Sequence, residues 1–403
     1  MSTRANIAGT TSARIAVAVC NLIIVVINAR SFGAEGVGQI AIYLLTLHLG
    51  LLLCEWFAGS ALVYLASRHA PARLFLLSFF WVSFITLAMG GAYTLNWVQF
   101  SETTLLYLLL ATLFTQGLNQ SLMHICVGTG QLKAFNLLTT TAPMGVLLFI
   151  GVLYFSSFQL EIWMYYSILL LMQTLLLPVG LRLLSKQEQR DGSFTAALKQ
   201  LFSIGFFVQL ANVIQFINYR LMYLLIERFL GMASLGIYAI GNQISEAVWM
   251  PGRSAAIVHY SHTSNTTQES SIKQTLKMLK YTGLITSMLL FGVFLVPESW
   301  FTLLFGSEFA ASKPVIVYLL PGIFLFSLSF PISAYFAGNG LQRINAIISG
   351  LSLLAMALLG YLLIPGGSIK TACQAVAIVY SLQSMLSIAI FKYKTRTKWR
   401  EFI

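Results

Sequence analysis

Charge is the scarcest property of this chain. Only 9% of its 403 residues are Asp, Glu, Lys or Arg, against about 25% in an ordinary soluble domain. With 58% hydrophobic residues it could not cover a soluble surface with polar groups. That excludes a cytosolic enzyme, a nucleic-acid-binding module and a disordered protein. Cysteine is also sparse. Cys20, Cys54, Cys126 and Cys373 each sit inside an apolar run without CxxC spacing, which excludes a disulfide framework or metal centre and reads as small buried hydrophobes. Long loops are missing too. The longest connection, roughly 184–200, is a basic linker, so any activity must lie within the helices. The first apolar run, Ile7–Ile27, carries Arg14 and lacks a small-x-small cleavage site. It reads as a retained span rather than a signal peptide.

What remains is a polytopic helical membrane protein. A span needs about 20 mostly apolar residues. Twelve are expected, at roughly 7–29, 38–64, 74–97, 104–126, 135–156, 161–183, 201–227, 235–258, 276–297, 315–336, 344–364 and 371–391. Between the ninth and tenth, PESWFTLLFGSEFAASKP reads as an interfacial turn with Trp300, Phe301 and Phe305 at headgroup level. With the N-terminus inside, 17 Lys/Arg fall on the even connections and tails and 4 on the odd connections. This asymmetry puts both termini in the cytoplasm and accounts for most of the net charge of +12 without any nucleic acid. The basic tail Lys392–Arg400 is expected on anionic headgroups of the membrane lipids.

The chain repeats itself. RSFGAEGVGQIAI from Arg30 aligns without a gap on RFLGMASLGIYAI from Arg228, matching Arg30, Gly33, Gly38, Ala41 and Ile42 at an offset of 198. GTGQLKAFN from Gly128 aligns on GNGLQRIN from Gly338, at an offset of 210. The first pair joins spans 1–2 and 7–8, the second spans 4–5 and 10–11. Two six-span halves are therefore parallel repeats about an axis along the membrane normal. The expected organisation is an all-α protein with one six-helix lobe at 1–184, a cytoplasmic linker at 185–200 and a second lobe at 201–403, around a central cavity. Gly33 and Gly36, or Gly231, are expected at positive φ in tight turns. G-x-G here has no strand beside it and is not a nucleotide motif.

Five charged residues fall within spans: Arg14, Glu55, Arg220, Glu246 and Arg253. Each costs about 2.5–3.5 kcal/mol near the midplane on translocon scales, so each needs a cavity or a partner. Arg220 lies too deep in span 7 to snorkel, among Asn212, Gln215 and Asn218. Arg14 and Arg253 line a cationic cavity or reach the interface. The 198 offset sets Glu55 opposite Arg253 and His48 opposite Glu246, which suggests an ion pair between Glu55 and Arg253 that holds one access state. His48, Glu55 and Glu246 are the titratable candidates for H+ or Na+ coupling or gating. Structural, hydrogen-bonded carboxylates are the alternative. His259 and His262 read as loop residues.

Against this background the chain resembles the multidrug/oligosaccharidyl-lipid/polysaccharide exporter superfamily. The sequence details resemble its polysaccharide branch, the O-antigen or capsule repeat-unit flippases. The resemblance rests on ARSFGAEGVG after span 1, INYRLMYLLIERFLGMASLGIYAIGNQISEAVWMP across spans 7–8, LFGSEFAAS before span 10 and YFAGNGLQRIN between spans 10 and 11. It implies a transporter of the bacterial inner membrane that moves an undecaprenyl-pyrophosphate-linked oligosaccharide to the outer leaflet, beside other polysaccharide-assembly proteins and without a cofactor or catalysis. Arg14, Arg220 and Arg253 would then bind pyrophosphate in bidentate fashion. Asn212, Gln215, Asn218, Asn242 and Gln243 would line the sugar path. The family often carries an acid two residues after the span 7 arginine, where this chain has Met222. The drug-exporter branch usually has acids in spans 1 and 7. Here span 1 has none, and span 7 has only Glu227 at its end. A membrane polymerase or ligase would carry a large outer loop, which is missing, and a channel would not need two repeated lobes.

Overall fold

The computed structural model describes residues 3–66, 69–94, 103–156, 159–185, 194–263 and 266–397. Among these residues the regular structure is entirely helical. The elements are α1 (Thr3–Ala58), α2 (Ser60–Ala66), α3 (Pro71–Thr94), α4 (Thr103–Gly128), α5 (Leu132–Phe155), α6 (Ile162–Ser185), α7 (Phe194–Leu230), α8 (Met232–Thr263), α9 (Gln268–Leu295), α10 (Glu298–Phe305), a 3-10 turn (Ser307–Ala311), α11 (Ser312–Gly338), α12 (Gln342–Leu363) and α13 (Ile369–Thr395). Each expected span falls on helix within the described residues. α1 holds two of them, separated where Gly33 leaves helical geometry at φ 65°. The second span is broken again at Gly59.

Eight described stretches are long and apolar enough to cross a membrane, the first being Ala16–Trp56 at 41 residues. The chain is a multi-pass membrane protein. Several helices are inside-out in pattern. α9 buries Ser271, Thr275, Thr282 and Thr286 and exposes Leu284, Met288, Phe291 and Leu295, which lie three or four residues apart on one face. α12 likewise exposes Leu351, Leu354, Leu358 and Tyr361. Apolar stripes of this kind suit lipid, and small polar residues let helices approach closely.

The chain divides into two compact units, Met1–Phe32 with Tyr43–Val213, and Gly33–Ile42 with Ile214–Ile403. Much of the linker expected at 185–200 lies outside the described residues, as do Arg68, Arg190, Lys398 and Arg400. In the first unit Tyr43 stacks on Tyr166 at 3.9 Å and donates to Thr112 at 3.3 Å. Buried Asn119 donates to the Gln173 carbonyl at 2.7 Å. In the second, Phe326 stacks on Tyr380 at 4.6 Å, beside Trp249 at 5.1 Å. All four cysteines are buried thiols.

The repeat is visible in backbone detail. Gly33 and Gly231, 198 apart, have φ of 65° and 85°. Gly36, also expected at positive φ, is instead helical and buried. At the second pair of turns Gly130 and Gly340 have φ of 78° and 73°. The amides of Gln131 and Leu341 each donate five residues back, to Cys126 and Phe336, both at 2.7 Å. These are matching Schellman ends that only glycine enters without strain. The closest sign of the repeat is a reciprocal crossing. A Cβ on Gly38 would overlap the Met232 carbonyl, and a Cβ on Gly236 would overlap the Ala34 carbonyl. Residues 34 and 38 are the 198-offset equivalents of 232 and 236, so the two repeats meet here across a local pseudo-two-fold.

The 297–314 segment departs from its expected form. Trp300 is exposed, but Phe301, Phe305 and Phe309 are 4%, 3% and 1% exposed. They are packing residues rather than headgroup anchors, because α10 turns one aromatic face into the protein. Lys313 closes the end of α9, donating to the carbonyls of Val293 at 3.0 Å and Val296 at 2.6 Å, which complements the helix C-terminus. Glu308 accepts from the Ala34 amide at 2.6 Å, at the helix start that follows the Gly33 break, where a carboxylate is favoured. Replacing Glu308 with alanine is expected to cost about 1–2 kcal/mol and replacing it with glutamine less. Thermal unfolding of the purified chain in detergent would order the variants.

Candidate polar site on the second unit

Arg220 and Glu246 form the centre of the site. Arg220 sits on α7 ten residues before its end, about 15 Å of helix. Glu246 projects from α8. Arg220 Nη1 lies 3.0 Å from Glu246 Oε1 and Nη2 donates to Oε2 at 3.2 Å. The carboxylate thus faces both Nη atoms and is hydrogen-bonded through Nη2. The side chains remain 28% and 24% exposed. The pair is thus neither sealed in the core nor free in solvent.

Two buried residues hold the pair. Tyr223, one turn after Arg220, accepts from Nη1 at 2.9 Å, and the guanidinium carbon lies 4.9 Å from its ring centre. Asn242, one turn before Glu246, donates to Oε1 at 2.8 Å and to the Tyr223 hydroxyl at 3.2 Å. Spacings of three and four put each couple on one helix face. Tyr223 and Asn242 are 5% and 2% exposed, so they form a fixed frame. Behind it lie Tyr219, Trp249, Phe326 and Tyr380 in edge and stacked contact. Chemically, the site offers a rigidly placed guanidinium fork whose present occupant is a carboxylate.

The other expected residues are placed differently. Gln215 is half-buried and accepts from Ser349 at 2.6 Å. Asn218 is fully buried and donates to Gln383 of α13 at 3.3 Å. Both are turned into helix contacts of the second unit, so in this conformation Asn218 packs rather than lines a path. Asn212 is exposed and donates to Gln209 at 3.1 Å. Gln243, Arg253 and Arg14 are exposed. On the first unit Glu55 lies 3.8 Å from His124 of α4, and His48 is exposed with Nδ1 2.6 Å from the Leu44 carbonyl. His259 is not in a loop. It is buried on α8, 2.8 Å from the Thr275 hydroxyl, because α8 runs on to Thr263.

Tyr223 and His124 were not anticipated. Tyr223 was within reach, three residues after Arg220 on the same face. His124 carried no such signal, since its partner comes from another helix.

The fold is that of the MOP superfamily of transporters. An inward-facing multidrug resistance MATE family transporter of that superfamily superposes with a TM-score of 0.77, at 14% identity, covering 94% of each chain. The lipid II flippase MurJ, in an inward closed conformation, superposes with 0.68, at 12% identity, covering 98% of this chain and 88% of that one. A MOP superfamily transporter from Pyrococcus furiosus, described as having a binding pocket of reverse polarity, gives 0.63 at 14% identity, with 97% and 93% covered. In sequence, the model of the polysaccharide biosynthesis protein family matches residues 38–314, and the chain belongs to that family. No protein of curated function matches it in sequence.

Proposed function

We propose that the chain is a flippase that carries a lipid-linked oligosaccharide repeat unit from the cytoplasmic to the outer leaflet of the bacterial inner membrane. Both termini are cytoplasmic, and two lobes, about 1–184 and 201–403, rock in alternating access. The sugar and pyrophosphate travel through the protein while the polyprenyl chain stays in lipid. Arg220 receives the pyrophosphate, and Arg14 and Arg253 extend the cationic path. Asn212 and Gln243 meet the sugars. No bond is made or broken, so the function is transport without catalysis. Moving one charge across 100 mV is worth about 2.3 kcal/mol, so membrane potential contributes to moving an anionic headgroup, with an ion gradient as the equal alternative.

The observation that carries this reading is the partly exposed guanidinium of Arg220, held opposite Glu246, in a chain of the polysaccharide biosynthesis family. Two parallel N–H donors on a planar cation match phosphate oxygens. A second reading, a cation-coupled multidrug exporter, is favoured by the likeness to a MATE transporter. It needs an acid available to a cation, and Glu246 already has Arg220 as its resident cation.

Depleting the chain in its own cell separates the two. The flippase reading expects loss of surface polysaccharide and accumulation of the lipid-linked repeat unit, with drug sensitivity unchanged. Drug hypersensitivity with normal surface glycan would establish the exporter instead.

A further inference from the structure

The fork on Arg220 that suits a pyrophosphate is already filled. Glu246 faces both Nη atoms, hydrogen-bonded to Nη2 at 3.2 Å and in ionic contact with Nη1 at 3.0 Å. A carboxylate and a phosphate draw on the same guanidinium N–H groups, so they compete for that face of Arg220. Glu246 has a second anchor in Asn242 at 2.8 Å, and Arg220 has one in Tyr223 at 2.9 Å. Each charge therefore keeps a neutral partner when the pair opens. The frame itself, Asn242 donating to Tyr223, does not depend on the pair.

We propose that Glu246 is a built-in competitor for Arg220: it yields the guanidinium to the substrate's pyrophosphate on loading and reclaims it to expel the lipid on release. The proposal rests on Arg220 being the pyrophosphate contact. In the loading step the Arg220–Glu246 pair opens and guanidinium N–H groups turn to phosphate oxygens, while the carboxylate keeps its hydrogen bond from Asn242. In the release step the carboxylate returns to the guanidinium and the pyrophosphate departs. The exchange governs release and does not supply the driving force. The displacing anion is part of the protein, and no external ion is needed for the step.

The test is binding of a short-chain isoprenyl-pyrophosphoryl sugar to the purified full chain in nanodiscs. Glu246→Gln should bind about tenfold more tightly than wild type, a gain of about 1.4 kcal/mol. It should also turn over more slowly in a flipping assay. Glu246→Asp, one methylene shorter, should fall between them, and it stands as the readout should the glutamine variant fail to fold. If Arg220→Ala abolishes binding while Glu246→Gln and Glu246→Asp keep wild-type affinity, the competitor role is overturned and the pyrophosphate contact survives. Undiminished binding by Arg220→Ala overturns both.

Discussion

Replacing Gly236 with alanine is expected to remove about 3 kcal/mol or more of stability, although the change adds one methyl group to a helix. The new Cβ would overlap the Ala34 carbonyl and stand 3.0 Å from the Gly38 amide nitrogen. Both obstacles are backbone, so no side chain can swing away, and the helices themselves must part. Gly38→Ala meets the same obstacle from the other repeat, at the Met232 carbonyl. Gly350 is the control. It lies inside α12 with nothing within 4 Å of its would-be Cβ, so alanine there should be neutral or gain up to about 1 kcal/mol through helix propensity. Thermal unfolding in detergent compares the three. Equal melting of Gly236→Ala and Gly350→Ala would mean that the crossing is not close-packed.

The second large effect is expected at Arg220. Arg220→Ala should lower surface-polysaccharide export by roughly ten- to a hundredfold, the loss of about 1.5–3 kcal/mol from charge-assisted hydrogen bonds. The same change strips Glu246 of its cation and leaves it with Asn242 alone, which is costly at membrane depth. Part of the loss could therefore be stability. The double variant Arg220→Ala with Glu246→Gln removes both charges, so it should accumulate like wild type and still fail to export. Arg220→Lys keeps the charge but not the planar fork and should recover only part of the activity. Export at wild-type level by the double variant, scored on surface glycan per unit of folded protein, would remove Arg220 from the pathway.

Much of this architecture was legible in the sequence because a bilayer imposes length and hydropathy on each span. The turns were legible for a different reason. Gly33 and Gly231, and Gly130 and Gly340, occupy positive φ that few other residues tolerate, so the repeat survives there when side chains elsewhere have drifted. Arg220 stood out through its depth in an apolar helix. Its partner did not. The 198 offset set Glu246 opposite His48 and Glu55 opposite Arg253 as equivalents, and it was silent on the contacts within each unit, Arg220 with Glu246 and His124 with Glu55. Periodicity tells which residues share a face, not which faces meet. Asn218 shows the same limit: it is polar on a helix expected to line a cavity, yet it is buried on Gln383. Phe301 and Phe305 show it in reverse, as aromatics placed at an interface by position but buried by the turn of α10.

The central claim is that Arg220 carries a pyrophosphate-linked glycan across the membrane. Its most direct measurement is translocation in proteoliposomes, using a fluorescent short-chain isoprenyl-pyrophosphoryl sugar and an impermeant reagent that reports probe on one leaflet. The account predicts that wild type equilibrates the probe across the leaflets. It further predicts that Arg220→Ala with Glu246→Gln leaves the probe where it was placed, although the variant is folded and inserted to the same extent. Equal rates for the two proteins, or wild-type vesicles no faster than empty ones, would contradict it.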